Sequence, residues 1–179
     1  MDSWIFTARQ RFTPSQTQKW HSYIQFSGFT HVAEMVTLDS ILCSDLIDAL
    51  TDEDWSHNIQ ADYRITWFTN LDYLRQRISW QTGQHQILAI LEQPAHIYEI
   101  PPTFEFCGFD ILDDHDGNSV LTNCGQFPGI FTPLDVNPFG LLLDLDQANT
   151  IAAQIRANFP DEPHCRNNRV RQIARDTDH

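Results

Sequence analysis

The residues best suited to chemistry in this 179-residue chain stand close together: Asp110, Asp113, Asp114, His115, Asp116 and Asn118. Carboxylate and amide oxygens at this density are hard ligands of the kind that hold a divalent cation. The spacing argues against a known loop. A calcium-binding EF-hand needs glycine at its sixth position and glutamate at its twelfth, and counted from Asp114 those positions hold Ser119 and Gly125. Asp116 and Gly117 instead have the chemistry of a tight turn, because both tolerate positive φ between strand-forming neighbours. No metal is therefore assigned, and Asp113, Asp114 and Asp116 are the only candidates for holding one.

Cys124, beside Gly125, offers a thiol nucleophile, with eight histidines elsewhere as potential bases. No spacing fixes its partner, and no protease signature such as CGSCW occurs. Cys165 follows His164 directly, and adjacent side chains seldom reach the same reacting atom. The phosphate-loop, dinucleotide, zinc-protease and nucleophile-elbow patterns are all missing. No catalytic residue and no cofactor are assigned. A small metal-assisted or cysteine-dependent enzyme, built on the 113–118 carboxylates or on Cys124, is the alternative reading.

Charge points elsewhere. From just after Lys19 to just before Arg64, 44 consecutive positions carry eight carboxylates and no cation, and the stretch between Arg77 and Arg156 adds ten more. This segregation underlies the formal net charge of −13 and gives a field that attracts basic partners and repels nucleic acid and anionic lipid. The leading expectation is a non-enzymatic, acidic protein-binding domain for a basic partner protein. Asp45, Asp48, Asp52, Glu53, Asp54 and Trp55 are its expected contact residues. By analogy of class alone, immunity-type inhibitors of cationic proteins work in this way. Arg166, Arg169, Arg171 and Arg175 form the one basic cluster, and are expected to neutralise the chain's own carboxylates rather than a phosphate backbone. No run of apolar residues is long enough to cross a membrane. The four cysteines have no CxxC spacing and the N-terminus lacks a signal-peptide pattern, so a reducing cytoplasm is expected.

These residues need elements to position them. A helix is expected from near Ser15, with Trp20, Tyr23 and Ile24 on one face and Gly28 ending it. A second, acidic helix is read from Leu38, Ile41, Leu42, Leu46, Ile47 and Leu50, and a further helical turn from Thr51 through Asp54. Tyr63 to Thr69 reads as a strand leading into a helix marked by Leu71, Leu74 and Ile78, and Gln86 to Glu92 as another strand. Residues 104–112 read as a central strand, apolar on both faces. Its hairpin partner is Ser119 to Cys124. If the centre lies between His115 and Asp116, Cys107 sits opposite Cys124; a turn at Asp116 and Gly117 places Phe109 there. Residues 125–140 form a long packed loop anchored by Phe127, Phe131 and Phe139. A helix capped by Asp146 runs to Pro160, followed by a last edge strand and a polar tail that frays from about residue 172. The fold class is α+β: an antiparallel or mixed sheet with helices packed on it, in a single domain spanning 1–179.

Overall fold

Alternating apolar positions and short turns build a six-stranded sheet in the order β2-β3-β1-β4-β6-β5, with every neighbouring pair antiparallel. The strands are β1 (Ile5–Gln10), β2 (Ile59–Asp62), β3 (Ile65–Phe68), β4 (His85–Glu92), β5 (Phe104–Leu112) and β6 (Arg169–Asp176). The helices are α1 (Thr17–Ser27), α2 (Leu71–Ile78), α3 (Leu145–Asn158) and the single turn α4 (Pro163–Arg166). This computed structural model describes residues 4–46, 50–51, 53, 59–62, 65–79, 85–113, 117–122 and 127–178, with the backbone alone for 59–62 and 65.

Two of the helices close one face of the sheet. Leu74 and Ile78 of α2 pack on Phe6, Ala8, Phe68, Ile87 and Ala89, while Ala148, Ile151, Ala152 and Ile155 of α3 join Phe109, Ile111 and Val170. Asn70 caps α2 by accepting the Tyr73 N–H, and Asp144 caps α3 by accepting the Gln147 N–H at 2.6 Å. The cap of α3 is thus Asp144, two residues before the expected Asp146, which lies in the first turn. α1 ends as its sequence requires, at Gly28 with φ 76°.

The opposite face is covered by irregular chain. Val36, Leu38 and Leu141 pack there against Trp67, Leu88, Ile90 and Ile173. No helix forms across Leu38 to Leu46, contrary to the reading of its apolar spacing. The Asp39 side chain captures the N–H groups of Ile41 and Leu42, its carbonyl accepts that of Cys43, and Ser40 donates to Gly117. Local capture of this kind diverts the backbone from a helix. Ile47, and Asp52 and Asp54 of the 51–54 turn, lie outside the described residues.

β5 contains a bulge between Phe106 and Gly108, which places Phe106 and Phe109 on the same face with ring centroids 5.4 Å apart. Gly108 is required at this point: at φ 141° an added Cβ would meet Leu142 O at 2.6 Å. Among the described residues, the expected hairpin partner of β5 shrinks to one bridge, Leu112 to Ser119, after which Val120 to Thr122 turn away. Leu142 takes over the rest of that edge by exchanging both backbone hydrogen bonds with Phe109. The last strand also differs from expectation. β6 is an inner strand between β4 and β5 and runs to Asp176, where a frayed tail from 172 was expected, because Gln172, Ile173 and Ala174 are fully buried.

Candidate functional site

The clustered carboxylates of the sequence divide into interior and surface groups. Asp110 is buried beneath the covering chain, its Oδ2 accepting from the Thr37 hydroxyl at 2.9 Å and the Leu38 N–H at 3.1 Å, and its Oδ1 from the Ser119 hydroxyl. Asp39, beside it, receives N–H groups from Ile41, Leu42 and Ser119 and the Thr122 hydroxyl. Burial, with the nearby Asp110 carboxylate as a lesser contribution, holds the Asp39 carboxyl above its ordinary range, although the three N–H donors oppose the shift. Asp113 is buried as well, accepting the Asn118 N–H, with His164 Nδ1 3.5 Å away. Asp114, His115 and Asp116 lie outside the described residues. Among the described residues, no group of three or more His, Cys, Asp or Glu stands where it could hold a metal ion.

Asp45 corrects the expected contact set. Its side chain is buried, accepts the Thr66 N–H at 2.7 Å and lies 3.7 Å from the guanidinium of the fully buried Arg9. It serves the interior because Arg9, sitting in the middle of the sheet, needs a counter-charge there. Burial lowers the pKa of Arg9, and Asp45 is the first of the nearby groups that oppose this. Glu53 is exposed in a turn, and Asp48, Asp52, Asp54 and Trp55 lie outside the described residues.

Cys43, Cys107 and Cys165 are free thiols in buried positions. Burial pushes Cys43 and Cys107 up to about 12 and raises Cys165, so none carries appreciable thiolate at neutral pH. Iodoacetamide is expected to modify Cys43 and Cys107 only after denaturation; rapid labelling of either in the native protein, read by mass spectrometry, would contradict this packing. The Leu112 to Ser119 bridge follows the register centred between His115 and Asp116, and Cys124 itself lies outside the described residues.

The arginine cluster behaves as expected in part. Arg171 binds Glu92 at 2.9 Å, and Arg175 bridges Glu34 and Glu105 while lying 4.9 Å from the Phe139 ring. Arg166 and Arg169 line a cleft.

An apolar concavity lies where α1 ends against the Phe-rich loop. Phe26, Phe29, Leu121, Phe127, Phe131 and Pro133 are among its lining residues, none of which is charged, and its volume is about 280 Å³. Each wall has a local cause. Gly28 turns the chain sharply enough to send Phe26 outward and Phe29 inward, so Phe26 is 57% exposed while Phe29 is buried. Phe127 meets Phe159 edge to face at 5.3 Å. Thr132 and Asp135 form a reciprocal cap around Pro133–Asp135, which projects Leu134 at 84% exposure.

An acidic rim adjoins this groove. The Asp135 side chain also accepts from Gln147, joining the loop to the start of α3, where Asp144 and Asp146 are exposed and Leu143 is 58% exposed. The arrangement presents an uncharged aromatic slot beside three carboxylates and two projecting leucines. Sequence reading marked Phe127 and Phe131 as anchors but missed Phe26, whose available signal is that it falls off the Trp20, Tyr23 and Ile24 stripe.

Fold and site together define an α+β domain with an apolar slot on its surface. Comparison with protein-family models, with curated proteins and with solved structures finds no match to this chain. Among the described residues, no helix is long and apolar enough to cross a membrane.

Proposed function

We propose that this chain is a non-enzymatic binding domain that captures a basic partner protein, seating an apolar side chain of the partner in the groove between α1 and the 127–133 loop. An immunity-type inhibitor is one form this activity takes. The observation that carries the reading is the adjacency of an uncharged aromatic groove to the Asp135, Asp144 and Asp146 rim on a chain of net charge −13. An apolar anchor supplies affinity in such interfaces, while opposite charge steers encounter and sets orientation. The rim at the start of α3 takes the role first expected of residues 45–55, of which Glu53 is an exposed member. A reducing, cytoplasmic setting belongs to the same proposal, and the free thiols of Cys43, Cys107 and Cys165 accord with it.

Selection of displayed random peptides against the full chain tests this reading. Enriched peptides are expected to carry an aromatic or leucine residue flanked by lysine or arginine. Their binding should weaken with salt, and by about tenfold or more with Phe26→Ser, an exposed position where the loss reports on the groove rather than on folding. Enrichment of acidic or uncharged peptides, or binding unaffected by Phe26→Ser, would overturn it.

A further inference from the structure

On an otherwise acidic surface, three arginines converge on one cleft. Arg156 of α3, Arg166 of α4 and Arg169 at the start of β6 line a cavity of about 450 Å³, together with Asn149, Asn168 and Gln93. The setting of Arg156 and Arg166 differs from that of Arg9, Arg11, Arg75, Arg171 and Arg175, each of which faces a carboxylate.

Arg156 is held in place without being neutralised. Its Nη1 donates to the carbonyl of Asn168 at 2.9 Å and to the Asn168 side-chain oxygen at 2.8 Å, and these two bonds engage Nη1 alone. Asn168 is itself buried and fixed, its amide donating to Cys165 O at 2.9 Å. Arg166 is exposed and takes part in no ion pair among the described residues. The acid nearest in sequence to the Gln93 wall, Glu92, is bound by Arg171. Gln93 has φ 46°, in the left-handed region that non-glycine residues rarely adopt, and is pinned by its N–H to Val170 O at 2.8 Å. Strained backbone of this kind collects at ligand sites.

We propose that this cleft binds the dianionic phosphate group of a small phosphorylated molecule. A carboxylate is satisfied by one guanidinium fork, whereas the three terminal oxygens of a phosphate monoester accept donors from several directions, as two or more arginines with flanking amides supply them. The cavity lies in the size range of small-molecule sites. A polynucleotide would have to lay further phosphates across a carboxylate-rich surface, so the field favours a compact ligand.

Titration of the full chain with inorganic phosphate, followed by amide NMR shifts at constant ionic strength with chloride as the balancing salt, tests the assignment. Saturable shifts are expected at Asn149, Arg156, Arg166 and Asn168, with citrate binding more weakly. Arg166→Gln, at an exposed position, should weaken phosphate by about tenfold, the equivalent of one charge-assisted hydrogen bond, and Arg166→Lys by less. Shifts that do not saturate, equal affinity of Arg166→Gln and the parent protein, or citrate binding as tightly as phosphate would each overturn the proposal.

Discussion

Asp45→Ala is expected to lower the unfolding free energy by about 3–5 kcal/mol, the loss that follows when one member of a buried ion pair is removed. Two consequences combine. The Thr66 N–H loses its acceptor at 2.7 Å, and Arg9, fully buried in β1, keeps only the hydrogen bond from its Nη2 to Leu38 O. Its Nε and Nη1 make no hydrogen bond, so the Asp45 carboxylate at 3.7 Å is the ion-pair partner that holds its charge inside the sheet. Urea unfolding followed by tryptophan fluorescence measures the loss. The double variant Arg9→Met/Asp45→Ala should recover much of it, since no unpaired charge is then left behind. If the single variant were as stable as the parent, Asp45 would have to be a surface group and the interior assignment would fail.

Asp39→Ala is expected to be nearly as damaging, by about 2–4 kcal/mol at neutral pH, because it strands buried N–H donors from Ile41, Leu42 and Ser119. Its pH dependence separates this residue from an ordinary salt-bridged acid. The folded-state pKa of Asp39 is raised, chiefly by burial. Stability from a raised carboxyl is fully present below the unfolded aspartate value of about 3.9 and is lost as pH rises through the folded value. The gap between parent and Asp39→Ala should therefore widen as pH falls from neutral through that raised value. Parallel stability curves for the two proteins across this range would show that Asp39 titrates normally.

Elements whose periodicity agrees with their surroundings could be read from sequence. α2, α3, β4 and β5 lie where their apolar spacing places them, and Gly28 and Pro160 mark real helix ends. β1 was missed because Thr7 and Arg9 are fully buried, which breaks the apolar alternation that signals a strand. β6 resembled an edge strand and tail for a related reason: Arg171, Gln172 and Arg175 are polar, yet each is answered internally, by Glu92, by both backbone groups of Tyr98, and by Glu34 and Glu105. The segment from Leu38 to Leu46 has helical spacing but makes its hydrogen bonds to the Asp39 side chain and to distant loops, information that lies outside any local window. For the site, the loop aromatics were legible as anchors, whereas the groove itself needs Phe26, Leu121 and Phe127 brought together from three separate segments. The net charge was legible; which carboxylates are exposed was not, since Asp39, Asp45, Asp110 and Asp113 are all inside.

The position of β6 bears on how the protein is made. Among the described residues it is the last strand in chain order, yet it joins β4 to β5, and β5 has no other full-length neighbour there. A nascent chain that has emerged from the ribosome only as far as Asn168 therefore holds two apolar strands with open edges and no way to pair them. Such edges invite intermolecular association. Completion of the sheet must wait until β6 has been synthesised, so a product terminated before it is a natural client for holdase chaperones and proteolysis, and only chains translated through β6 escape that triage.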